Sequence, residues 1–173
     1  MNQAVRKLPD ELWGGREELE VLTFDIAGEM FALEAFIVQE ILDLLPETVV
    51  PGAKPFVGSV INFRGKVIPL ADIRLAFGME ATRTTIDSRI IVIALDVDGD
   101  GEPVLTGLRT DKVHEVTTLL RAAGEAPPSV GMRWRPDFID CLVRRGSEFI
   151  IVPNLQAIFT AHHDHGGTGH PRG

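Results

Sequence analysis

Four groups of residues in this chain have types and spacing that could do chemistry. The first is Asp96, Asp98 and Asp100 followed by Gly101, the alternating carboxylates with which a calcium loop begins. That chemistry needs a bidentate Glu at the loop's last position, where this chain has Gly107, and the flanks read as strands instead of helices. A Gly-rich turn joining "IIVIAL" to "PVLTGL" accounts for the stretch, and calcium is rejected. The second group is His162, His163, His165 and His170, imidazoles that could chelate a transition metal. They lie in "HHDHGGTGHPRG", which has no reason to fold, so a solvated tail explains them. The third is Asp111, His114 and Glu115 in "TDKVHE", an acid–base cluster that nothing completes. There is no G-x-S-x-G elbow, P-loop, G-x-G-x-x-G, CxxC or HExxH. The fourth is Cys141, the sole cysteine, with no nucleophile signature around it; it reads as a small core residue. These residues argue against an enzyme, and no metal or cofactor is expected.

A fifth group can act by charge alone. In "VINFRGKVIPLADIRLAFG", Asn62, Arg64, Gly65 and Lys66 separate two β-branched runs. Asn and Gly tolerate positive φ and a turn's charge prefers water, so an ordinary hairpin turn explains the stretch. The alternative is that Arg64 lies across from Glu40 and fixes the register of two segments. Charge distribution favours this pairing. Residues 21–53 hold six acids (Asp25, Glu29, Glu34, Glu40, Asp43, Glu47) and no Lys or Arg, whereas residues 54–89 hold six bases against three acids. Adjacent segments of opposite sign can pair with each other or with a partner. The whole chain carries 17 basic and 25 acidic side chains, a net charge of −8 that repels phosphate backbones and excludes nucleic acid as a general partner.

The elements that must position these residues are mostly strands. Residues 1–20 are polar and read as a loose arm. Leu22, Phe24 and Ile26 alternate with Thr23 and Asp25, the period of a half-buried strand. Gly28-Glu29 supplies a two-residue turn with Gly first, and Phe31 and Leu33 continue a second strand. "FIVQEILDLL" fits a helix or a strand equally. Pro46, Pro51 and Pro55 then impose an irregular, partly extended connection. A hairpin turns at Arg64-Gly65, with Pro69 marking an edge or a strand end. "DIRLAFG" fits a strand or a helical turn ending at Gly78. "RIIVIALDV" reads as a central strand, and "PVLTGLRTDKVHEVTTL" adds one or two more. "RAAGEAPPSVGMRWRPD" is loop-like, "EFIIV" is a late strand, and Asn154 caps a short helix bearing Leu155, Ile158 and Phe159. Many short strands with one or two short helices predict a mainly β fold, a small barrel or sandwich.

With 45% hydrophobic residues, 173 residues suit one compact unit or two small lobes sharing a core. The first residues contain no apolar stretch of a secretion signal, no run is long enough to span a bilayer, and one cysteine fits a reducing compartment. A cytoplasmic protein with no direct membrane insertion is expected.

"VINFRGKVIPLADIR", preceded by "VQEI" and followed by "GLRTDKVHEV", closely resembles the CheW family of chemotaxis coupling proteins. The matching positions are Val38, Glu40 and Ile41; Val60, Ile61, Asn62, Arg64, Gly65, Val67, Ile68, Pro69, Asp72 and Arg74; Gly107, Asp111, Val113, Glu115 and Val116; and Asn154-Leu155. The resemblance implies two SH3-like five-stranded β-barrel lobes on a shared apolar core, occupying residues 21–161, between the arm (1–20) and a disordered His-rich tail (162–173). It implies an adaptor without catalysis that joins the regulatory domain of the histidine kinase CheA to the cytoplasmic hairpin tip of chemoreceptors. By the same resemblance, Val38, Glu40, Ser59, Asn62, Arg64 and Gly65 lie at or near partner contacts. Val113 lines a groove between the lobes that meets receptor helices, and the protein associates with membrane-bound receptor arrays. The chain departs from the pattern at Ser59 (usually Gly), Phe63, Arg109, Thr110, Asp140 and Pro153. Those departures leave open a divergent adaptor of a different receptor–kinase array. A small ligand- or metal-binding β-barrel is the alternative of another class.

Overall fold

In the computed structural model, which describes residues 10–80, 83–128 and 135–163, the β-branched and aromatic runs form two six-stranded sheets. The first sheet contains β1 (Glu18–Ile26), β2 (Glu29–Glu34), β9 (Lys112–Leu120), β10 (Gly124–Glu125), β11 (Ile139–Arg145) and β12 (Glu148–Pro153), in spatial order β10-β11-β12-β2-β1-β9. The second contains β3 (Val38–Asp43), β4 (Thr48–Val49), β5 (Ser59–Phe63), β6 (Lys66–Ala71), β7 (Arg89–Leu95) and β8 (Val104–Thr110), ordered β3-β7-β8-β6-β5-β4. The second lobe is thus one continuous segment inserted between β2 and β9 of the first. Because β4 and β10 are two residues each, every sheet has five full strands and one short one. Among the described residues backbone pairing closes neither sheet into a complete barrel. Among the described residues three α-helices complete the fold: α1 (Asp10–Trp13), α2 (Ile73–Ala76) and α3 (Leu155–His163).

Strand alternation here serves two cores at once. In β7, Ile91 and Ile93 enter a core shared by the lobes, whereas Ile90 and Val92 enter the second lobe's own core with Ile61, Phe63, Ile68 and Leu70. In β1, Leu22, Phe24 and Ile26 face the shared core while Leu19 and Val21 join Trp13, Cys141 and Val143 inside the first lobe. A strand between two cores must be apolar on both faces, which is why "RIIVIAL" shows no alternation. β1 is accordingly buried on both faces from Val21 to Phe24, Thr23 included, instead of half-buried there. Ile139 and Cys141 have the same parity yet enter different cores, because a bulge lies between them. Inside the second lobe Gly107 is required by close approach. A Cβ there would lie 3.1 Å from Ile90, 3.2 Å from Leu70 and 3.3 Å from Ile61.

Several sequence expectations are corrected. The N-terminal arm is not loose throughout: α1 buries Trp13 completely, and β1 already begins at Glu18 with Leu19 in the core. An indole ring removed from water stabilises this segment although its neighbours are charged. The β1–β2 turn is Ala27-Gly28, with φ of 53° and 82°, so both turn residues are left-handed. "FIVQEILDLL" resolves into a 3-10 turn over Ala35–Ile37 followed by β3. "DIRLAFG" forms α2. Pro69 is in an interior strand, not an edge. It faces Val60 across a two-residue hairpin and pairing to β8 starts only at Leu70, so no neighbour needs its missing N–H. "IDCLVRR" is a full strand, β11, that the sequence reading left out. Pro153 ends β12, and Asn154 Oδ1 accepts from the Ala157 N–H at the start of α3. The helix runs to His163, and the His162 ring stacks on Phe56 at 4.2 Å, so the folded part extends into the expected tail. His165 and His170 lie outside the described residues.

Candidate functional site

The β5–β6 turn is a two-residue hairpin of Arg64 (φ 51°) and Gly65 (φ 81°). Gly65 supplies a left-handed conformation at no steric cost, and Asn62 Oδ1 accepts from its N–H at 3.0 Å. The turn therefore holds Arg64 by backbone geometry. Its guanidinium reaches Glu40 of β3, Nη2 to Oε2 2.9 Å, and lies 5.1 Å from the centre of the Phe63 ring. β3 and β5 stand first and fifth in the sheet order, so this contact requires the sheet to curl until its edge strand meets the hairpin tip. A bulge at Gln39 shifts the β3 register, with Val38 opposite Ile93 and Glu40 opposite Val92. The Arg64 side chain is 72% exposed and that of Glu40 33%.

The structure brings Glu40, Asn62, Arg64 and Gly65 together as one cluster. Val38, on the same strand, packs partly buried against the shared core. Ser59 lies at the far end of β5, 6% exposed, opposite Leu70 and Val49, and is no part of the tip. Val113 belongs to the other sheet, half-buried opposite Phe24 on edge strand β9. Two exposed apolar side chains that sequence reasoning missed flank the cluster along the chain: Phe36, 86% exposed, and Val67, 69% exposed. Their apolar character was visible, but periodicity does not tell an exposed apolar residue from a core one.

A second charged network is built around Arg74, in the first turn of α2. Its Nε donates to Asp72 Oδ1 at 2.8 Å and its Nη2 to Asp111 Oδ1 at 2.7 Å, and the side chain is 4% exposed. Burial works against this guanidinium's charge, but its hydrogen bond to Asp111 and the charges of both carboxylates outweigh it and hold its pKa above the ordinary value.

The remaining candidate chemistry is taken up by structural bonds. Asp111 is held by Arg74 and the Ala27 N–H, His114 contacts Asp25 at 2.9 Å, and Glu115 pairs with Arg145, so the acid–base trio does not converge. His114 and Glu115 form a bulge of β9 that Thr23 pins, its hydroxyl donating to Glu115 O at 3.1 Å. Asp96 accepts from the N–H groups of Gly99 and Gly101, which makes it a turn former. Burial pushes the Cys141 thiol up to about 12, with Asp140 adding to the effect, so it is no nucleophile. The polar departures at Arg109 and Thr110 are also satisfied. Arg109 pairs with Glu47, and the buried Thr110 hydroxyl donates to Arg89 O at 3.0 Å.

A sequence profile described as the CheW-like domain matches residues 20–163. The chemotaxis protein CheW of Rhizobium meliloti (strain 1021) is 27% identical over 146 residues, covering 84% of this chain and 88% of that protein. The chemotaxis protein CheW of Bacillus subtilis (strain 168) is 24% identical over 139 residues, 80% of this chain and 85% of its own. Among solved structures, the scaffolding protein TtCheW from Thermoanaerobacter tengcongensis superposes with a TM-score of 0.71 at 30% identity, over 82% of this chain and 92% of that one.

Proposed function

The chain belongs to the CheW-like domain family, and from that premise we propose that it couples chemoreceptors to the histidine kinase CheA through the surface around Glu40 and Arg64. It is a non-catalytic chemotaxis scaffold, in keeping with the relatives and the scaffolding protein it resembles. The observation that carries the proposed surface is the Glu40–Arg64 pair, which joins the two motif segments "VQEI" and "NFRG" at one exposed corner of the second lobe. An exposed pair of this kind contributes only ~0–1 kcal/mol to stability. Its stronger effect is orientation: it fixes two groups of opposite sign in one geometry, which a partner's complementary charges can read. The kinase regulatory domain is the partner assigned to this corner. Val113 and the face of β9 beside the shared core are assigned to the receptor tip, whose amphipathic helices suit an apolar groove. No described helix is long and apolar enough to cross a membrane. The proposal places the protein in the cytoplasm, held at receptor arrays by its partners.

Calorimetric titration with the kinase regulatory domain tests this reading. The unmutated protein gives saturable binding, and Arg64→Glu weakens it by about tenfold or more while circular dichroism is unchanged. Equal binding by both would return "NFRG" to a plain turn. No binding by either would remove CheA as the partner.

A further inference from the structure

Asp111 stands where the chain leaves the second lobe and re-enters the first, between the end of β8 at Thr110 and the start of β9 at Lys112. Its carboxylate is divided between the lobes. Oδ1 accepts from Arg74 Nη2 at 2.7 Å on the second lobe, and Oδ2 accepts from the Ala27 N–H at 2.7 Å on the first. Its own N–H donates to Asp25 O at 2.9 Å, again on the first lobe. Arg74 is fixed from behind by Asp72, which also accepts from the Arg74 N–H at 3.3 Å and so caps α2. Ala27 adopts a left-handed φ of 53°, rare for alanine, and the Asp111 bond holds that residue in place.

The lobes also share an apolar core, but burial of apolar surface is non-directional: it keeps the lobes together without choosing their angle. Charge-assisted hydrogen bonds of fixed fork geometry do choose one. We propose that Arg74 and Asp111 form an inter-lobe latch, and that by setting the angle between the lobes Arg74 is a positioning residue for a scaffold that must hold two partners at once. The positioning role rests on the adaptor reading above; the latch itself does not. The bonds of Arg74 to Asp72 and Asp111 use donors that a lysine cannot reproduce in that plane.

The test is a distance measurement between spin labels at Val67→Cys on β6 and Thr118→Cys on β9, both exposed. Cys141 is fully buried with its thiol pushed up to about 12, so it takes no label. The unmutated latch gives a narrow distance distribution, and Arg74→Lys broadens it by about twofold or more. Asp111→Asn, which keeps an acceptor for Ala27, gives the same broadening and serves if Arg74→Lys does not fold. In either variant, affinity for the kinase regulatory domain alone stays within about threefold, while affinity of the protein–kinase complex for the receptor tip falls by about tenfold. An unchanged distribution in both folded variants overturns the latch. A pairwise loss as large as the ternary loss overturns the positioning role. If the unmutated protein binds neither partner, the adaptor reading and the positioning role fall together, and the distance distribution alone decides the latch.

Discussion

Two of the second lobe's arginines, Arg64 and Arg74, meet carboxylates in opposite surroundings. Arg64 meets Glu40 at 2.9 Å with 72% of its side chain exposed, whereas Arg74 meets Asp72 and Asp111 at 2.8 and 2.7 Å with 4% exposed. Water screens the first pair and competes for both partners, so its loss costs little. The second cannot be half removed without leaving a carboxylate facing a site that has lost its cation, a change worth about 3–5 kcal/mol for buried pairs. Charge at the exposed corner is thus open to water and hardly bears on stability, whereas the charge on which stability depends is shielded beneath the lobe junction.

The largest way to break this contrast is Arg74→Met, which keeps the volume of the stem and deletes the charge. The expected loss is about 3 kcal/mol, read by calorimetry as a fall in Tm on the order of 10 °C for a chain of this size. A loss below about 1 kcal/mol would place Arg74 in the same class as Arg64 and erase the distinction. Gly65→Ala is the intermediate case. A Cβ there meets nothing within 4 Å, so its only effect is backbone strain at a φ of 81°. Urea denaturation is expected to register about 1 kcal/mol, with kinase binding following the tip's altered geometry. No change in stability would mean that the tip relaxes freely and does not hold Arg64 by its backbone.

Much of the exposed pair was legible in the sequence, and little of the buried one was. Glu40 and Arg64 sit in segments of opposite charge, and a two-residue turn between β-branched runs has few ways to fold, so their meeting followed from pattern and resemblance. "DIR" carries no mark of burial: Arg74 is buried only because α2 packs under the point where the chain crosses back to the first lobe. The three bulges, at Gln39, His114–Glu115 and Asp140, were equally silent. Those at Gln39 and His114–Glu115 each add one residue against a partner strand far away in the chain, and that at Asp140 adds one against the next strand, β12. Trp13 lies in a stretch read as polar, and "IDCLVRR", between the loop-like stretch and "EFIIV", was assigned to no element. In each case a tertiary neighbour decided, and a single chain does not display its neighbours in sequence order.

The smallest expected effect gives the sharpest test of the contrast. In a double-mutant cycle of Glu40→Ala and Arg64→Ala, the stability coupling is expected to be below about 1 kcal/mol and to shrink further in about 1 M salt. Kinase binding is expected to behave differently. Either single substitution weakens it by about tenfold, and the double substitution weakens it scarcely more, because two groups that act as one surface are lost with the first of them. A coupling in stability above about 2 kcal/mol would show instead that Glu40 and Arg64 brace the curl of the sheet. Their position between the first and fifth strands would then be structural first, and the binding defect of Arg64→Glu would be its consequence.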